Sequence, residues 1–212
     1  MWPFNKKDKT TQQDDEIEWY PVGDNNPFDA AIVDIRSLTL NVTATTKDKN
    51  VAENYSISRQ SDGSEFIGKV PNKSISYSID ISYPHNGEKL EGIVFKSPEM
   101  EIKWDIYAYG EWFYFVRSWS SELIFKAKYT NTGDTLQITE VVTPKGYSER
   151  EAENIHSIML THVFGRVWPY YIPEHLQESE NNDIALFMFS QFGSKATLAT
   201  KQSVLHINLN ER

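Results

Sequence analysis

Between residues 74 and 83 the chain reads Ser-Ile-Ser-Tyr-Ser-Ile-Asp-Ile-Ser-Tyr, apolar and polar in strict alternation. A period of two puts Ile75, Tyr77, Ile79, Ile81 and Tyr83 on one face of a strand and the serines and Asp80 on the other. One face is therefore buried and one wet, as in an antiparallel sheet. Pro84-His85-Asn86-Gly87 follows as a turn with the Asn-Gly hairpin signal, so residues 89–96 are expected back as the partner strand.

Residues 100–143 are the aromatic centre of the chain. Aromatic and β-branched residues suit a pleated, half-buried surface. Turns at Gly110, at Ser118–Ser121 and at Thr132-Gly133-Asp134 divide the segment into strands near 100–109, 111–117, 121–130 and 134–143, a meander whose neighbours in sequence are neighbours in space. Upstream, 31–36 and 38–43 read as strand, the second with Leu38, Leu40 and Val42 on one face. Thr45-Thr46-Lys47-Asp48 then offers caps for a short helix over 51–55.

At residue 148 the period changes. Ser148 and Glu151 form a capping box, and Ala152, Ile155, Met159, His162 and Val163 recur at helical spacing to about 164, with Gly165 as the stop. Trp168–Pro173 reads as loop. Residues 183–192 are apolar nearly all round. A buried helix fits them better than a strand, with Asp183 as cap and Gly193 as stop. Short strands are expected over 196–200 and 203–209. The fold class is α+β: residues 19–212 as one domain, a mainly antiparallel meander sheet packed by a helix over about 148–164 and a second apolar helix over about 183–192. Residues 1–18 are polar and unpatterned apart from Met1-Trp2-Pro3-Phe4, and read as a flexible charged tail.

Composition narrows the function. The 212 residues contain no cysteine, which removes disulfides, thiolate metal sites and cysteine nucleophiles. A net charge of −9 without a basic stripe argues against nucleic acid, whose binding needs Lys and Arg to neutralise phosphates. No apolar run approaches the roughly 18 residues of a membrane span, and no signal peptide is apparent, so a cytoplasmic protein is expected. Glycine-rich phosphate loops, nucleophile elbows and HExxH are absent, and no cofactor or metal is implied. His156 and His162 lie six apart, which leaves them on different helix faces and unable to share a metal; His162 reads as a core histidine.

The chemistry that remains centres on Phe115-Val116-Arg117-Ser118-Trp119. Arg117, with Trp119 two positions on, reads either as a structural arginine stacked on an aromatic and paired with Glu122 or Asp105, or as a fork that grips a carboxylate or phosphate. Asp34 and Arg36 alternate on one strand face and read as a buried pair. Trp104, Trp112 and Trp119 are candidate stacking platforms. The leading reading is a non-enzymatic binding or protein-interaction module that meets a protein partner or a small anionic ligand. The alternatives are a hydrolase or transferase, in which Arg117 holds an anionic substrate and Asp34 or His162 serves as acid/base, and a sugar or small-molecule binder that uses exposed tryptophans.

Three segments, Asn26-Pro27-Phe28 with Val33-Asp34-Ile35-Arg36, Arg117-Ser118-Trp119-Ser120, and Phe189-Ser190-Gln191-Phe192-Gly193, resemble a bacterial protein family without assigned activity that shares NPF…(V/L)DxR, RSW(T/S) and FSx(F/Y)G segments. The resemblance spans about residues 19–200. It implies that Asp34, Arg36, Arg117 and Trp119 belong to a shared core or site.

Overall fold

A computed structural model describes residues 17–44 and 47–210; residues 1–16, which hold most of the expected tail and its aromatic start, lie outside them. In chain order the elements are β1 (Trp19–Tyr20), β2 (Ile32–Asp34), α1 (Arg36–Thr39), α2 (Lys49–Ser58), β3 (Ser74–Pro84), β4 (Gly92–Phe95), β5 (Trp104–Tyr109), β6 (Trp112–Arg117), β7 (Leu123–Asn131), β8 (Thr135–Pro144), α3 (Glu149–Ala152), α4 (Asn154–Ile158), β9 (Pro169–Tyr171), α5 (Asn181–Phe192) and β10 (Leu198–Thr200). Ile17 is buried in the core, and its carbonyl accepts a bond from the Asn181 side chain.

The meander forms as its pattern predicts. Strands β5 to β8 lie side by side in an antiparallel six-stranded sheet of order β3-β8-β7-β6-β5-β4. The alternation in β3 sends Ile81 and Tyr83 into the core and half-buries Tyr77 and Ile79, while Ile75 stays exposed; the strand's partner is not the one the turn implied. Ser74 to Pro84 pairs with β8, and β4 pairs with β5 at the opposite edge of the sheet. The chain from 85 to 90 instead crosses the strand ends: the His85 amide donates to the Asp134 carbonyl, Asn131 donates to Glu88 O, and the Tyr129 hydroxyl donates to Leu90 O. Local turn chemistry thus set the bend, and long-range pairing of β3 with β8 set the partner.

A second, small mixed sheet has the order β1-β2-β10-β9, with β9 and β10 parallel. It was not anticipated, because Pro169–Tyr171 reads as loop until β10 lies beside it. Of the two expected late strands, the first becomes β10; in the second, Val204–His206 form a 3₁₀ turn. The strand expected over 38–43 is also absent. The Asp34 carboxylate accepts the Arg36 backbone N–H at 3.0 Å, and the Leu38 and Thr39 amides bond back to Ile35 O. The chain therefore turns into α1 straight after β2, since an acceptor two residues back stabilises a turn over an extended strand. In the next segment, Asp48 caps α2 by accepting from the Asn50 amide.

The capping box at Ser148 and Glu151 is present as expected. The helix behind it is not one regular rod: it steps at Glu153 between α3 and α4 and widens into a π turn over Met159–Val163. A hydroxyl that bonds back into the helix perturbs the backbone ladder, and Thr161 does so here, donating to Ser157 O at 2.7 Å. Helix α5 fills its expected place, with Asp183 in the first turn rather than as the cap.

One face of the six-stranded sheet carries Trp104, Ile106, Phe113, Phe115, Phe125 and Ile138 into the main core, against the helices. The other face carries Tyr107, Tyr114, Val116 and Leu123 into a smaller cluster under Phe66. At the C-terminal end of α5, glycine at 193 is obligatory. Its φ of +70° and ψ of −155° suit glycine almost alone, and a Cβ would stand 1.9 Å from the Glu101 carbonyl oxygen. That close approach lets residue 193 bridge to Ile102 and fixes the end of α5 against the start of β5.

Candidate functional site

Arg117 ends β6, directly across from Trp104 in the register of β5. Its guanidinium lies 4.6 Å from the centre of the Trp104 ring. The expected carboxylate partner is not there. Nη1 donates to the Gln191 carbonyl at 2.5 Å, and Nη2 donates to Gln191 Oε1 at 2.6 Å. Arg117 therefore places a cation on the C-terminal carbonyls of α5, where the helix dipole is negative. Asp105 is excluded as its partner by the pleat. It neighbours Trp104, so it points through the opposite face, as strand alternation requires.

On that face Asp105 is 1% exposed and holds a polar network that no sequence motif announced. Its carboxylate pairs with Arg59, lies 3.7 Å from Lys96 Nζ and accepts the Ser97 amide at 2.8 Å. Arg59 also donates to Ser97 O and sits 4.7 Å from the Tyr55 ring. Burial pushes the Lys96 ammonium below its ordinary range, and the charge of Asp105 opposes that. The network pins α2 to the outer face of the sheet.

Next to Arg117, Lys103 lies in an aromatic box. Its Nζ is 4.1 Å from the Trp119 ring centre and 4.9 Å from that of Phe189, and it donates to Met100 O at 3.0 Å. Trp119 is locked beside it, its indole N–H donating to the same Met100 carbonyl at 2.6 Å. Burial pushes the Lys103 ammonium down to about 8, with Glu101 opposing and the like charge of Arg117 adding to the fall. Arg117 is also lowered, by burial first, yet guanidinium keeps its proton.

Lys103, Arg117, Trp119, Glu122, Phe189 and Ser190, together with Thr43 and Ala44, line an open cavity of about 510 Å³. Glu101 is turned aside, accepting the Ala44 amide at 3.0 Å. Among the described residues the ion pairs within 4 Å join other groups, and none includes Lys103 or Arg117. Two cations thus border one opening without a carboxylate in contact. The Arg117-Ser118-Trp119 and Phe189–Gly193 segments, distant in sequence, meet here.

The remaining candidate residues are elsewhere. Asp34 and Arg36 pair at the surface, with the Arg36 side chain 59% exposed. Burial alone would raise the Asp34 carboxyl, but its bonds to Arg36 outweigh that and hold it below the usual range. The pair is a turn clamp rather than a buried bridge. Asn26, in the NPF turn, is likewise a loop organiser, donating to the carbonyls of Tyr20, Pro21 and Ala30. Trp104 is 1% exposed and offers no free ring face to a ligand. Trp112 projects from the opposite face to Trp104 and carries Lys126 Nζ at 3.9 Å from its ring. His162 is buried edge-on to Phe95, its Nδ1 near Thr161 Oγ1 and Ile158 O. Burial, with Lys195 adding, pushes it down to about 3, so it stays neutral, and it does not line the cavity at Arg117.

No group of three metal-ligating side chains occurs among the described residues, and no described helix is long and apolar enough to cross a membrane. No family model, curated protein or solved structure matches the chain.

Proposed function

We propose that this protein is a non-enzymatic binding module whose Lys103–Arg117–Trp119 cavity takes a small ligand bearing a carboxylate. The observation that carries this reading is the convergence on one aromatic-walled opening of two cations, neither of them in an ion pair within 4 Å among the described residues. Desolvated cations attract an anion more strongly than exposed ones, because the local dielectric is low. Trp119 and Phe189 supply an apolar wall for the rest of the ligand, the usual composition of a small-molecule site. The cavity volume of about 510 Å³ is within the range of such sites.

Fluorescence titration with benzoate, and with neutral benzamide as control, tests the reading through Trp119. Benzoate binds saturably and benzamide does not. Lys103→Met weakens benzoate by about tenfold, the worth of one charge-assisted hydrogen bond. Equal affinity for the two probes, or no change in Lys103→Met, overturns it.

A further inference from the structure

The cavity holds a primary amine as well as a clamp for an anion. We infer that Lys103 is a nucleophile that captures the carbonyl of a small 2-oxo acid as a reversible imine, with Arg117 holding the acid's carboxylate. This rests on the anion-binding reading above and adds a covalent step to it. Four features of the site point to the amine rather than to a permanently charged lysine.

First, Lys103 lines an opening large enough for a three- or four-carbon acid, and its Nζ lies against two walls of that opening, Trp119 and Phe189. Second, its polar partner is a single backbone carbonyl, Met100 O, and no carboxylate within 4 Å locks the proton on. Third, the guanidinium of Arg117 shares the cavity, and two like charges disfavour one another. Arg117 carries five N–H groups, more than its bonds to Gln191 and to Ser190 O use, so a ligand carboxylate can be gripped without breaking the helix cap. Fourth, the Glu122 carboxylate lines the same cavity and can accept a proton from the attacking nitrogen.

Burial shifts the amine toward about 8, so about a quarter of it is free base at pH 7.5, against about a thousandth of an exposed lysine. The Trp119 and Phe189 faces favour the charged form and return part of that gain. Ring contact and covalent capture are thus alternative states of one side chain.

The step balances without any further reagent. The Lys103 nitrogen attacks the carbonyl carbon and a carbinolamine forms. The Glu122 carboxylate takes a proton from the attacking nitrogen and passes it to the carbinolamine hydroxyl, which leaves as water. The nitrogen gives up both of its hydrogens over the sequence, and amine plus 2-oxo acid becomes imine plus water. Hydrolysis reverses it.

The test incubates the full chain with pyruvate and sodium cyanoborohydride, whose hydride reduces the imine to a stable secondary amine. Peptide mapping by mass spectrometry then locates the adduct. The expected result is modification at Lys103 at least about tenfold faster than at any other lysine at pH 7.5, rising with a midpoint near the shifted value rather than near 10.4. Lys103→Arg, checked for folding by circular dichroism, abolishes it. Pyruvate that shifts the Trp119 indole N–H resonance but leaves Lys103 no faster than exposed lysines overturns the covalent inference and leaves anion binding intact. No adduct and no resonance shift overturns both. Mapping the parent chain keeps the test decisive even if the variant misfolds.

Discussion

Replacing Asp105 by asparagine tests the buried network on the outer sheet face. Asp105 is 1% exposed and serves Arg59, Lys96 and the Ser97 amide. Asparagine keeps one acceptor but loses the charge, and its NH₂ faces two cationic donors. Removing one partner of a buried pair costs about 3–5 kcal/mol, since the other charge stays buried uncompensated. Arg59 and Lys96 keep 22% and 19% side-chain exposure, so water relieves part of this, and about 3 kcal/mol is the expected loss. A domain of this size is stable by roughly 5–15 kcal/mol, so the variant remains folded. Urea unfolding reads the loss as a lower midpoint at unchanged m-value. Hydrogen exchange should show amides of α2 opening first, because the network is what pins it. The double variant Arg59→Met with Asp105→Leu should cost clearly less than the two single changes added together. A loss for Asp105→Asn within about 0.5 kcal/mol, the usual surface value, or strict additivity in the cycle, would refute the assignment.

Three further outcomes are expected. Gly193→Ala should lose about 3 kcal/mol in urea unfolding, from backbone strain and the displaced bridge to Ile102; a neutral result contradicts the close approach to Glu101. Arg117→Lys should cost about 2 kcal/mol, since a single ammonium cannot serve Gln191 O and Oε1 in the same planar fork, with faster amide exchange at the end of α5 as the local readout. His156 and His162 are held neutral by burial, at about 4 and about 3 against an ordinary value near 6.5. The unfolded chain therefore binds more protons below pH 6.5. The stability contributed is complete above that pH and falls by about 1.4 kcal/mol per pH unit per histidine down toward pH 4. Denaturant midpoints measured from pH 7 to 4 check the slope, and His162→Gln should flatten it.

Local pattern revealed what local physics decides. The meander, the Ser148–Glu151 box and the stop at Gly193 all follow from side-chain period and turn chemistry and are present, and the β3 alternation holds except at Ile75, which stays exposed. Residues 85–96 misled because Asn-Gly signals a bend and not the strand that answers it; β8, some fifty residues on, is the better partner for β3. The strand expected at 38–43 failed because the Asp34 side chain, not hydrophobic alternation, governs the next turn. At the site, Arg117 and Trp119 stood out as a charge among aromatics. Lys103 did not, because its box joins Trp119 in one turn to Phe189 on a distant helix. Strand parity alone would have separated Asp105 from Arg117, because the two residues across from and next to Trp104 point through opposite faces.

The most direct test of the central claim is a two-dimensional NMR titration of the labelled chain with benzoate. The predicted result is saturable shifts concentrated at the Trp119 indole N–H and at the amides of Ala44 and Ser190, around the cavity of Lys103 and Arg117. Absence of shifts, or shifts scattered over the surface with none at Trp119, would contradict it.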